Sequence, residues 1–152
     1  MKYVGAFLAL LSAACMNPND AFFQNHRYKM IQAELSGGGA VFRYGYPKKP
    51  DHDLLVNRIR VPAAQQAGVI KEWFVKEQGY RKHDCTLQKA QSNGITYYTC
   101  DVEKGFKGVH FVVYVANVKA DSVYIKVYRS INKLPTGAEL EKLVADLNQF
   151  YP

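Results

Sequence analysis

A chain of 152 residues with 48% hydrophobic and 22% charged side chains is composed like an ordinary globular protein. That sets aside a repeat array or a second domain and suits one compact unit able to bury a core. Twenty basic against thirteen acidic side chains leave a formal net charge of +7, a balance that fits nucleic acid, anionic lipid or an acidic protein as partner.

The first element is a leader. Lys2 precedes an apolar run from Val4 to Leu11, and the small residues Ser12, Ala13 and Ala14 lead into Cys15. Those eight residues would reach about 12 Å as a helix, against about 30 Å for a bilayer core. The run therefore reads as a removed export signal rather than a membrane span. The stretch Leu11-Ser12-Ala13-Ala14-Cys15 resembles the lipobox of bacterial lipoproteins. The resemblance covers these residues alone. It implies a signal peptide over 1–14, cleavage before Cys15 and lipid attached to that cysteine. Met16, which is not acidic, then favours an anchor in the outer membrane facing the periplasm. Export removes nucleic acid from the candidate partners. The membrane, through the lipid, and an envelope protein remain.

Residues 15–46 read as a tether carrying some structure. Asn17 can cap a helix with Pro18 in its first position, and Tyr28, Ile31 and Leu35 follow at spacings of three and four. Ser36-Gly37-Gly38-Gly39 would stop that helix, which is expected over about 18–35. A short strand is expected at Ala40–Tyr46. The globular domain occupies 47–152. It opens on a polar loop containing Asp51-His52-Asp53, whose consecutive residues do not converge on one metal ion without further ligands. Leu54–Val61 is expected to be extended. Pro62 then starts a helix to about Gln78, with Val69, Ile70, Trp73 and Phe74 as its apolar stripe and Gly79 as its stop.

Four strands follow, at Tyr80–Lys89, Ile95–Glu103, Val109–Val118 and Ser122–Ile131, with links short enough for an antiparallel meander. With Cys15 lipidated, Cys85 and Cys100 remain as an even pair in an oxidising compartment, and a structural disulfide is expected. A four-residue loop over Gln91–Gly94 would set the two directly opposite; a two-residue Asn93-Gly94 turn would set them one diagonal apart. Thr136 and Glu139 form a capping box for a last helix with Leu140, Leu143, Val144 and Leu147 on one face. The expected fold is α+β: a two-layer sandwich with an antiparallel sheet of four to six strands and two amphipathic helices on one face.

In that arrangement Val109, Phe111, Val113 and Val115 line the core together with Val123, Ile125, Val127 and Ile131. The opposite face would expose Tyr114, Tyr124, Lys126, Tyr128 and His110 as a partner-binding surface, joined by Tyr97 or Tyr98. No catalytic residue and no cofactor are expected. Gly37-Gly38-Gly39 lacks the Lys-Ser/Thr of a phosphate loop, no Gly-x-Ser-x-Gly occurs, and His26 and His83 have no zinc spacing. The sequence therefore points to a non-enzymatic, membrane-anchored module that binds a protein, as an accessory subunit of an envelope machine or an immunity or exclusion factor. Binding of an envelope glycan or anionic lipid by the same basic aromatic face is the second reading. A small hydrolase using His52, His83 or His110 is the third.

Overall fold

The structure, a computed structural model, describes residues 19–46, 49–102 and 109–152. The leader, Cys15, Met16 and residues 103–108, where one link of the meander is expected, lie outside the described residues. Strands β1 (Ala21–Phe23), β2 (His26–Ser36), β3 (Gly39–Tyr46) and β4 (Lys49–Arg60) precede helix α1 (Ala63–Arg81). Strands β5 (Gln88–Ser92), β6 (Ile95–Asp101), β7 (Phe111–Lys119) and β8 (Ser122–Ser130) lead to helix α2 (Gly137–Gln149). All eight strands form one sheet in the order β1-β2-β3-β4-β8-β7-β6-β5, with every neighbouring pair antiparallel. Two four-stranded meanders thus lie side by side and meet where β4 pairs with β8. Helix α1 is the connection that carries the chain from the middle of the sheet to its far edge.

The α+β class and the antiparallel meander agree with the sequence; the strand count and the layering do not. Residues 21–46 contribute three strands instead of a tether with a helix. The spacing of Tyr28, Ile31 and Leu35 mimics a helix, but Tyr28 is buried while Ile31 and Leu35 stay in solvent. The local turns decide the matter. Gln24 and Asn25 take φ of 49° and 61°, as a tight two-residue hairpin requires. The glycines after Ser36 turn a second hairpin, and at Gly39 any Cβ would collide with the Arg58 carbonyl on β4.

The two helices pack on opposite faces, so the molecule has three layers rather than two. Register fixes this. Val113 pairs with Tyr128, which also pairs with Leu54, and this face meets Leu143, Val144 and Leu147 of α2. Tyr114 pairs with Val127, and that face meets Phe74 of α1. The two apolar stripes expected to share a core therefore lie on opposite sides. Strand β7 buries five consecutive residues, Phe111–Val115, so alternation along it could not reveal a side.

Smaller differences have local causes. Helix α1 runs through Gly79 to Arg81, and the strand expected from Tyr80 begins only at Gln88. The segment between is held by one side chain: Gln78 donates to the Cys85 carbonyl at 3.2 Å and accepts from the Leu87 N–H at 2.7 Å. The turn before β6 has two residues, Asn93 and Gly94, and pairs Ser92 with Ile95. Cys85 therefore lies beyond the start of β5, diagonal to Cys100, and the two are bonded with Cα atoms 5.7 Å apart. Thr136 occupies the N-cap of α2, but its side chain makes no capping bond, and Gly137 enters the helix at φ 57°.

Candidate functional site

The residues expected to form an exposed aromatic and basic surface do not form one. Tyr114 and Lys126 are fully buried, Tyr128 is 7% exposed, Tyr124 is half-buried, and His110 alone is open to solvent. Strand parity splits them: Tyr114 lies under α1, while Lys126 and Tyr128 project to the side of α2. Tyr97 packs against the α2-side core and Tyr98 against the α1-side core. The face is the interior of a three-layer molecule. The Tyr114 hydroxyl donates to Glu77 Oε1 at 2.7 Å, and Arg81 Nε binds the same oxygen at 3.0 Å. Burial, and then the Glu77 charge, raise the Tyr114 pKa above the usual phenol value.

Lys126 fastens the end of α2 to the sheet. Its Nζ donates to the Asn148 carbonyl at 2.5 Å and sits 3.7 Å from the Tyr151 ring centre. A cation there meets the negative end of the helix dipole. Asn117 Nδ2 reinforces the joint, 3.1 Å from the same carbonyl and 2.7 Å from the Tyr151 hydroxyl. Burial, and then the nearby charge of Lys119, lower the Lys126 pKa to about 7. Between that value and the unfolded one near 10.4, the unfolded chain holds a proton that the folded chain has released, so stability rises with pH. Unfolding free energy should climb by at most about 1.4 kcal/mol per pH unit from pH 7 to 10. It should then fall above pH 10, because Tyr28, Tyr114 and Tyr128 all have raised pKa values. In Lys126→Met the climb should vanish, with Asn117 still satisfying the Asn148 carbonyl; urea unfolding across this range measures both limbs.

The Asp51-His52-Asp53 stretch, expected as a solvated loop, lies in β4, with His52 and Asp53 buried on opposite faces. On the α2 side, His52 Nδ1 is 3.2 Å from the Tyr128 hydroxyl, which also shares a hydrogen bond with the hydroxyl of Tyr28. Ser130 Oγ lies 3.4 Å from His52 Nδ1 and 3.5 Å from its Nε2. An oxygen equally far from both ring nitrogens is aligned with neither lone pair, and Ser130 Oγ also accepts the Asn132 N–H at 3.1 Å. This is poor geometry for a serine activated by histidine. Asp53, turned to the other face, cannot orient the imidazole; Arg43 Nη2 at 2.9 Å and Arg129 Nε at 2.6 Å hold its carboxylate. That hydrogen bonding raises the Arg129 pKa. His83 and His110 are exposed and join no such cluster among the described residues. No group of His, Cys, Asp and Glu with metal-binding geometry occurs among the described residues.

Two of the concave surfaces among the described residues are roomier than the others. A cleft of about 700 Å³ lies between the β1–β2 hairpin and the end of α2, floored by Met30, Phe42, Tyr44 and Phe150. Its rim carboxylates are already engaged, Asp20 by Arg27 and Asp146 by Lys142. A groove of about 640 Å³ runs between α1 and the β5–β6 edge, with Val75, Leu87 and Tyr98 exposing apolar surface over a buried Phe74 and Lys71 and Lys89 beside them. No pattern in the chain announces this groove, because it joins one flank of a helix to strands that follow it in the sequence. No helix among the described residues is long and apolar enough to cross a membrane. No family model and no curated protein matches the chain.

Proposed function

We propose that the protein is a non-catalytic binding module of the bacterial envelope, anchored through lipid on Cys15 to the outer membrane and engaging another protein in the periplasm. One observation carries the binding role: the side chains capable of chemistry are spent on internal contacts, whereas apolar surface is left open in the groove beside α1. The bonded pair Cys85–Cys100 fits an oxidising compartment. The leader ending at Cys15 supplies the export and the anchor. An accessory subunit of an envelope machine and an immunity or exclusion factor both need this combination of tether and rigid domain. The aromatic and basic sheet face no longer serves as the binding surface.

Expression with Cys15→Ser tests the anchor. The unaltered protein should fractionate with membranes and yield an acylated amino-terminal peptide by mass spectrometry. The variant should lose the acyl mass and leave the membrane fraction. Recovery of unaltered protein with a free Cys15 thiol refutes the anchor.

A further inference from the structure

Helix α1 is under-packed for its length. Over 19 residues its buried side chains are Gln66 and Phe74, whereas the 13 residues of α2 bury Leu143, Val144 and Leu147. The uncovered flank has a regular pattern. Ala67, Ile70, Lys71, Phe74, Val75 and Gln78 line the groove, at helical spacings of three and four. Opposite them lie Leu87 and Lys89 at the sheet edge and Tyr98, which stacks on Phe74 at 3.9 Å between ring centres. Val75 is 65% exposed. A stripe with this spacing beside a bare patch of sheet has the shape that a second helix lying alongside α1 would need.

The rim specifies the charge of that helix. Lys71 and Lys89 are the charged residues of the groove lining, and neither pairs with a carboxylate among the described residues. We propose that this groove receives an amphipathic helix of a partner protein, its apolar stripe against Ile70, Val75, Leu87 and Tyr98 and its acidic flanks against Lys71 and Lys89. This names the docking surface for the protein-binding role above and rests on that reading. A helix seated there completes the layer that α1 leaves half-covered.

The probe is a designed helical peptide of about sixteen residues, long enough for four turns, with Leu at helical spacing and Glu on both flanks. Titrated into isotopically labelled full-length protein, it should shift amide resonances at Phe74, Val75 and Tyr98. The double charge reversal Lys71→Glu with Lys89→Glu, both at exposed positions, should weaken binding by about tenfold or more. The same peptide with Lys in place of Glu should prefer that double variant to the unaltered protein. Binding indifferent to the charge reversals overturns the proposal, as does no binding at about 1 mM peptide. It is equally overturned if the response is new exchange protection along Gln88–Ser92, the signature of strand addition, or if the protein alone fills the groove by self-association. An acylated protein that ignores the probe loses the groove and keeps the anchor; an unacylated protein that binds it loses the anchor and keeps the groove.

Discussion

Asp53→Ala should lower the unfolding free energy by about 3 kcal/mol, at the lower end of what breaking a buried ion pair costs. The Asp53 side chain is 8% exposed, and its carboxylate sits between guanidiniums from two neighbouring strands. Arg43 reaches it from β3 and Arg129 from β8, through both oxygens. Its removal leaves two cations facing each other with nothing between them. The cost stays near the lower end because the arginine side chains are 39% and 29% exposed and can recruit water. A melting temperature lower by about 10 °C is the corresponding thermal result. Replacing the whole triangle by apolar residues, with Asp53→Leu, Arg43→Met and Arg129→Met, should recover most of the loss. A cost below about 1 kcal/mol would mean that the cluster behaves as an ordinary surface pair.

Removing the disulfide with Cys85→Ala and Cys100→Ala should cost about 3 kcal/mol, the loop-closure value for a separation of 15 residues. Cys100 is fully buried in the α1-side core, and Cys85 packs against that core from the irregular segment after α1. Without the bond, Gln78 remains as the polar clamp on that segment. Hydrogen exchange should therefore accelerate first over residues 82–87 and β5, before the central strands. Urea unfolding with and without a reducing agent provides the same comparison in the unaltered protein. Equal stability in both conditions would show that the cross-link adds nothing to the clamp.

How far the sequence could be read depended on the kind of signal each element carries. Helix α2 announces itself because one face of it is apolar and the other is not. The strands β6 to β8 were legible from their turns, and the cysteine pair from its parity. The β1–β2 hairpin is hidden because β2, which β1 pairs over only three residues and which otherwise lies mostly in solvent, has no inward stripe to display, so three apolar residues at helical spacing mimic a helix there. The sides of the helices were hidden for a different reason. Strands β7 and β8 are buried on both faces, and a one-residue difference in pairing decides which stripe meets which helix. That single ambiguity accounts for the misplaced binding surface: alternation on strands with one wet side puts Tyr114, Lys126 and Tyr128 in solvent, whereas both sides of these strands are covered.

The seam between the two meanders has a consequence for the birth of the protein. Asp53 and Arg129, which meet across it, are 76 positions apart in the chain. A polypeptide synthesised amino end first delivers β4 long before β8 emerges. Until then β4 presents a naked row of peptide groups to every other unfolded chain nearby. A holdase acting before synthesis is complete would have to shield that row, and release would coincide with arrival of β8.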